Sequence, residues 1–557
     1  LRYREQGENF RTKESAMTRR SGKARMITVM AASVAVLTVL AGCGPDSESN
    51  GERLASDGKP EVEIQVLKWD NQAAMKDMKW TDELESACDC HITWKEVSTT
   101  AWEQQKATAL AAGDVADISI NGLYYSDAVS QYPYFEDLSQ HLDQMPNVKK
   151  MLDEQPTLKK WVTDLEGHIY VMGQSNVQGG MSVHRRVINK TWLDKLGLAM
   201  PTTWDELIDV LEKFKTEDPN GNGKADEIPM DIRKFATTSY RWWDPFVIMN
   251  DTGIPTSFNT APGQEGVYVE NGTVKAWLTD DRYKAAIEFY HKLMSKGLLP
   301  ADALTHEDSS YDSEKQGEGT TASVGVAIES NAYSMGSDIA DQYVALGPLK
   351  YDPSMSDDDL VWDTSLQASK YGQGTLAVAK DAPNKEAIWK IIDKMYSTDM
   401  AVQISYGTDY IKKTGDNEYT VDPSRYDANL KIAPTINMTT YIPDDITIKG
   451  DVDVDRNKAV DAPFEAAQRH VNEKSYMPVY VKMNTEDGTT LSNLYNRVMT
   501  YVMTTTGNWI QNGGIEDGWD DYVKQVKAAG LDEILSLWQK AYDDQVTDPL
   551  PLFSDEK

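Results

Sequence analysis

Cysteine and histidine are scarce, with 3 and 7 residues in a chain of 557. Three thiols cannot build a disulfide framework, and the scattered imidazoles include no HExxH pair, which excludes the usual zinc-hydrolase arrangement. There is no GxSxG turn to present a serine nucleophile and no GxxxxGK[ST] loop to cradle phosphates. Positive charge is also short: 56 Lys and Arg stand against 88 Asp and Glu, a formal charge of −32 that repels nucleic acid and anionic lipid. Phenylalanine is the rare aromatic, 9 residues against 15 Trp and 27 Tyr, so rings with a polar handle dominate, as a wet binding surface requires. No fixed-period repeat runs through the chain, which argues against a solenoid.

What is present begins with an address. From Met17 the chain reads MTRRSGKARMITVMAASVAVLTVLAGC, a basic stretch, an apolar run and small residues before Cys43, the layout of an export signal. A transmembrane helix is the competing reading, but the uncharged segment from Met26 falls short of about 18 residues and is closed by Gly42 and Pro45. Residues 1–16 precede the plausible start and read as an over-extended gene start, and 43–60 form a polar tether with little to bury. Without residues 1–42, 48 basic residues face 85 acidic ones, a formal charge of −37. About 500 remaining residues exceed one core and imply two or more lobes. Cys88 and Cys90 could pair outside the cell, but a bridge across one residue is strained, and two reduced buried thiols are the simpler expectation.

The stretch DPNGNGKADE at 218–227 sets Asp218, Asn220 and Asn222 at positions one, three and five of a calcium loop, with Gly223 at the sharp turn and Lys224 offering a carbonyl. Asp226 and Glu227 add carboxylates, but Pro229 stands where a bidentate Glu is expected and opposes a second helix. The pattern predicts a static hard-oxygen clip and not a switch; the alternative is a solvated Asx-rich turn.

Around it, VEIQVLKWDN, HITWKEV and VADISING alternate with helical stretches, the mark of an α/β lobe with a mostly parallel sheet. Ligands of such sheets bind beyond the strands' carboxyl ends, which places Trp69, Asp70, Asn71 and Asn121 to Tyr125, Tyr124 among them, at a cleft edge. Thr203 and Glu206 have capping-box spacing before a helical face of Trp204, Leu207, Ile208, Leu211 and Phe214. The last sixty residues are mainly helical in pattern.

VINKTWLDKLGLAMPTTWDEL, DPNGNGKADEIPM, GTLAVAKDAPNKEAIWKIIDKMYS and the closing WIQNGGIEDGWDDYVKQVKAAGLDEILSLWQKAYDD, in this order and spacing, resemble the large extracellular solute-binding lipoproteins of Gram-positive ABC importers, grouped with alginate-oligosaccharide-binding proteins. The resemblance covers the chain after the tether. It implies a two-lobe, type II periplasmic-binding-protein-like α/β fold, each lobe a mostly parallel sheet flanked by helices with a hinge between. The corresponding division is 60–178 with 346–400 for the first lobe and 179–345 with 401–557 for the second. It further implies a lipid on Cys43 within a Leu40-Ala41-Gly42-Cys43 lipobox, and a structural calcium held by Asp218, Asn220, Asn222, Lys224, Asp226 and Glu227. The implied partners are an oligosaccharide and the permease subunits, with membrane contact through the lipid only, no nucleic acid, and a monomeric chain.

Sugar binding needs apolar ring platforms beside planar polar groups. Arg241, Trp242, Trp243 and Asp244 stand in a row that no amphipathic element can bury together. Glu329, Asn331 and Tyr333 match in position a family segment that offers an aromatic to the sugar, and Trp362 with Asp363 lies near a lobe crossing. With Trp69, Asp70, Asn121 and Tyr124 these are the candidate contacts. A glycoside-active enzyme needs only two facing carboxylates, yet no catalytic constellation is visible, and an adhesin or sensor without an importer shares every feature of the sequence.

Overall fold

The computed structural model describes residues 52–68, 72–123, 134–175, 184–365, 370–372, 376–426, 430, 440–547 and 552. Among them the chain builds a first lobe, leaves it for a second, and returns. The first excursion forms β1 (Glu61–Lys68), β2 (His91–Ser98) and β3 (Ile118–Ile120). The second lobe adds β4 (Arg185–Asn189), β5 (Ile228–Met230), β6 (Val267–Glu270), β7 (Thr273–Ala276), β8 (Val324–Glu329) and β9 (Tyr343–Ala345). On the return come β10 (Leu376–Val378), β11 (Ile411–Gly415), β12 (Glu418–Val421) and β13 (Thr447–Lys449).

The first sheet has the order β10-β3-β1-β2, with β1 parallel to both β2 and β3 and β10 antiparallel. Val62, Ile64 and Val66 of β1 are fully buried in a core shared with Trp80, Leu84, Ile388 and Ile392. The second sheet, β5-β8-β4-β9, departs from the expected mostly parallel pattern: β5 pairs parallel with β8, but β4 is antiparallel to both β8 and β9. The reason is topological. β4 and β10 both arrive from the other lobe and run away from the crossing, so each lies against a strand that runs toward it.

Core membership also revises the division of the chain. Leu346, Leu349, Leu360 and Trp362 pack in the large second core with Val187 and Ile188, so this segment belongs to the second lobe. Met400, Ile404 and Tyr441 join the first core, and Ala401 to Ile446 form a satellite cluster around β12, so 401–446 belongs to the first. The chain therefore passes between lobes at 175–184, at 365–370 and between Ile446 and Phe464, which is again in the second core. The lobes also touch: Lys482 Nζ donates to the Lys160 and Trp161 carbonyls (3.1 and 2.8 Å) at the end of helix Pro156–Val162.

Local signals explain the scaffold helices. In helix Trp204–Thr216, Trp204, Leu207, Ile208, Val210, Leu211 and Phe214 are buried at helical spacing, each contributing about 1.5–3 kcal/mol of apolar burial. Thr203 Oγ1 accepts the Glu206 amide (3.2 Å), but Glu206 turns to the Thr202 amide and hydroxyl (2.8 and 2.7 Å), so only half of the capping box forms. Cys88 and Cys90, expected as free thiols, are disulfide-bonded. Asp89 between them takes φ +50°, a left-handed turn that brings their Cα atoms to 5.2 Å, within the span a bridge accepts.

Candidate functional site

Where the crossings enter the second lobe, three consecutive buried polar residues stand at the start of β4: His184 just before it and Arg185 and Arg186 opening it. His184 Nδ1 pairs with Asp363 Oδ2 at 3.0 Å, joining the first crossing to the second. Arg185 reaches Asp461 through Nε (2.6 Å) on helix Val452–Arg469, which carries the third crossing, and donates to the Ser330 carbonyl (2.8 Å). Arg186 grips Asp251 with two hydrogen bonds (2.6 and 2.9 Å), while the Trp204 indole and the Leu349 amide donate to the same carboxylate. Burial pushes the Asp251 carboxyl up against these contacts and the Arg185 guanidinium down. All three crossings are thus anchored in one buried ionic knot at the start of β4.

The candidate aromatics stand next to it. Trp242 and Trp243 meet the His184 ring edge-on, with centroids 5.4 and 5.2 Å away; Trp243 packs on the core, whereas Trp242 is 37% exposed. Asp244 fixes the turn by accepting the Phe246 and Arg241 amides (3.0 and 3.1 Å), and burial raises its carboxyl to about 6. Arg241 is held by Asp308 (2.6 Å) and by the Lys234 carbonyl (3.1 Å). Beyond the end of β8, Asn331 Oδ1 accepts the Tyr333 amide (2.9 Å) and its Nδ2 donates to Asn457 (2.8 Å). Tyr333 is 40% exposed, with the Arg456 guanidinium 3.7 Å from its ring centre. This side of the second lobe offers two exposed rings, each with an arginine beside it in space or in sequence, as a stacked and hydrogen-bonded polyol needs.

Two candidates are not surface groups. Glu329 is buried and bound to Lys315 (2.6 Å) and Arg233 (3.3 Å), its charge consumed inside the fold. Trp362 is fully buried, packed on Phe464 with centroids 4.5 Å apart and donating to the His184 carbonyl (2.8 Å), because the crossing re-enters the core there. On the first lobe, Asn121 is half-buried at φ +63° and starts the turn after β3. Gly122 has no room for a side chain, since a Cβ would sit 2.6 Å from the Trp102 indole nitrogen, whose N–H donates to the Gly122 carbonyl (2.8 Å). Trp69, Asp70 and Tyr124 lie outside the described residues, as does Cys43.

The loop at 218–227 turns through positive φ at Asp218, Gly221 and Gly223. Asp218 accepts the Gly221 and Gly223 amides (3.0 and 3.2 Å), and Asn220 and Asn222 accept the Asn222 and Lys224 amides (2.9 and 2.8 Å). The Asn220 and Asn222 side-chain amides also donate to Asp226 (3.3 and 3.0 Å). Glu227 keeps a buried Oε2 without a hydrogen-bond partner, and burial, together with the Asp218 and Asp226 charges, raises its carboxyl. An orphaned carboxylate oxygen among hard oxygen donors fits a calcium ion. The gathering is looser than a closed cage: among the described residues, three ligand atoms within 4.8 Å of one another occur at Asp231, His306 and Glu314 and not at the loop carboxylates.

Two cores joined by three crossings, with exposed rings at the mouth of one, define a two-lobe binding protein. Residues 69–402 match the family of bacterial extracellular solute-binding proteins, and the chain belongs to that family. Its fold is that of the type II solute-binding proteins. A solved structure described as an HMO-binding, ABC-transporter-associated solute-binding protein from Bifidobacterium longum infantis is 41% identical, with a TM-score of 0.83 over 87% of this chain and 99% of that one. The fructooligosaccharide ABC transporter substrate-binding protein FusA of Streptococcus pneumoniae is 28% identical over 91% of this chain and 96% of its own. A solved FusA structure carrying an EF-hand mutation and bound to fructo-nystose is 25% identical, with a TM-score of 0.71 over 87% of this chain and 99% of that one. Among the described residues no helix is long and apolar enough to cross a membrane.

Sequence reasoning set Asp363 near a crossing but missed its partner His184, and it missed Arg456. Asp363 lies 179 residues from His184, and no local pattern announces such a pair.

Proposed function

We propose that this protein captures an oligosaccharide between its lobes and hands it to the permease subunits of an ABC importer. The observation that carries the reading is the pair of exposed rings, Trp242 and Tyr333, set beside the ionic knot where the lobes join. A sugar chain lying on these rings and reaching Asn121, Trp69, Asp70 or Tyr124 on the first lobe binds the closed arrangement better than the open one. That difference in affinity drives closure, and closure is what the permease reads. Arg456, over one face of the Tyr333 ring, supplies donors beside it and leaves the other face to the sugar, while Trp243 positions Trp242 through His184. The oligosaccharides in the descriptions of the bifidobacterial protein and FusA set the substrate class to test first. Equilibrium titration against a panel of plant, host and microbial oligosaccharides tests it: saturable binding of at least one supports capture, and no binding by the folded protein overturns it.

Calcium held by Asp218, Asn220, Asn222, the Lys224 carbonyl, Asp226 and Glu227 serves as a structural clip. It neutralises the carboxylates that crowd Glu227 and fixes the exit of helix Trp204–Thr216 into β5. The EF-hand of FusA supports this reading. A lipid on Cys43 holds the protein at the outer face of the membrane, since an acidic body gives no other attachment. A Cys43→Ala variant that still fractionates with membranes in the native host would refute that anchor.

A further inference from the structure

Besides the three chain crossings, the lobes meet in a contact through which no chain runs. Helix Pro156–Val162 of the first lobe, held in its core by Leu158 and Val162, ends with carbonyls that its own turns cannot satisfy. Lys482 of the second lobe donates from Nζ to three carbonyls there, those of Lys160 (3.1 Å), Trp161 (2.8 Å) and Thr163. A cation at this end of a helix also meets the negative pole of its dipole. The Lys482 backbone is fixed from its own side: its amide donates to Gln545 Oε1 (3.2 Å) and its carbonyl accepts from Gln545 Nε2 (2.7 Å), at the end of helix Leu531–Gln545. Beside it, Lys160 Nζ sits 4.7 Å from the centre of the Tyr480 ring, and Trp161 packs against both cores.

We propose, on the reading that a sugar closes the lobes, that Lys482 is a latch that holds the sugar-free protein open. Trp242 and Tyr333 are exposed while the contact is made, so the lobes are tied with the sugar face uncovered. Hydrogen bonds of about 3 Å tolerate little displacement, and a rotation that carries the helix end on the order of an ångström or two from Nζ breaks all three together. The latch is also releasable. Burial pushes the Lys482 amine down to about 8, with the Asp164 carboxylate countering, so the ammonium gives up hydration to make these bonds and their net hold is modest. A ligand whose preference for the closed form exceeds that hold overcomes it. The latch thereby sets how much of a ligand's binding free energy goes into closure, and with it the apparent affinity.

Small-angle X-ray scattering of the ligand-free protein and calorimetric titration with the best oligosaccharide of the panel test the latch. Lys482→Met keeps an unbranched stem and removes the donors; it should make the ligand-free protein more compact and oligosaccharide binding about fivefold or more tighter. Lys160→Ala, an exposed change on the first-lobe side of the contact, should act in the same direction with a smaller shift, and it decides the matter should Lys482→Met fail to fold. A radius of gyration unchanged or larger in the folded variants, or an affinity no tighter than wild type, would overturn the latch. If no oligosaccharide binds, sugar capture fails while scattering alone decides the latch: compaction upholds it and no change overturns it.

Discussion

Around β1 the first lobe packs Val62, Ile64 and Val66 against Trp80, Leu84 and Ile388, whereas the corresponding entry strand of the second lobe, β4, opens with Arg185 and Arg186, just after the buried His184. The first core is apolar, with the Cys88–Cys90 bridge at its edge and Asp117 paired with Arg53 and with the Glu63 amide (2.8 Å). The second buries ion pairs that gather all three crossings. A buried ion pair adds little net stability but is severely punished when one partner is lost. The difference teaches a division of labour: apolar packing holds the first core together, and buried ion pairs tie the crossing segments to the second.

Asp251→Ala is the sharpest way to break this contrast. Removing Asp251 strands Arg186 and leaves the Trp204 indole unpaired, so the second lobe should lose about 3–5 kcal/mol. Ile64→Ala in the first lobe should cost about 2–5 kcal/mol through its cavity. Chemical denaturation followed by fluorescence and hydrogen exchange should place each loss in its own lobe; an Asp251→Ala loss spread equally over both would contradict the division.

Acidity sharpens it next. Burial raises Glu265, on which the Trp538 indole donates (2.9 Å), to about 7 from an ordinary value of 4.5. A raised carboxyl holds its proton more tightly in the fold than in the unfolded chain. The stability it contributes is complete below 4.5 and is lost as pH rises through about 7, on the order of 3 kcal/mol at most. Thermal melts at pH 5 and pH 8 should show Glu265→Gln flattening this fall and gaining stability at pH 8. An unchanged pH slope would mean that Glu265 is not held protonated.

The loop at 218–227 belongs to the second lobe alone, so if it holds the proposed calcium, chelation and calcium add-back should shift only that lobe's melting. At calcium a hundredfold above its dissociation constant the gain is about 2.7 kcal/mol. An unchanged midpoint after add-back to protein shown by metal analysis to carry calcium would remove the structural role.

Much of the scaffold was legible because it is local. Alternation announced β1 and β2, and helical spacing announced the buried face of Trp204–Thr216. The row Arg241–Asp244 could be recognised as unfit for a single amphipathic element, and the structure splits it as that implies, with Trp242 outward and Asp244 buried. What escaped depends on distant partners. Trp362 looked like a platform because its burial comes from Phe464, a hundred residues on, and Glu329 looked available because Lys315 and Arg233 neutralise it only in the folded lobe. The direction of β4 follows from the crossings, which no window of sequence contains.

The central claim is that the exposed rings beside the knot hold the sugar, and Trp242→Ala tests it most directly. Calorimetric titration with the best oligosaccharide from the panel should show binding weakened by about 1–3 kcal/mol, the order of one lost apolar platform, with circular dichroism unchanged. Wild-type affinity in a folded Trp242→Ala protein would contradict the account and move the binding surface away from this side of the second lobe.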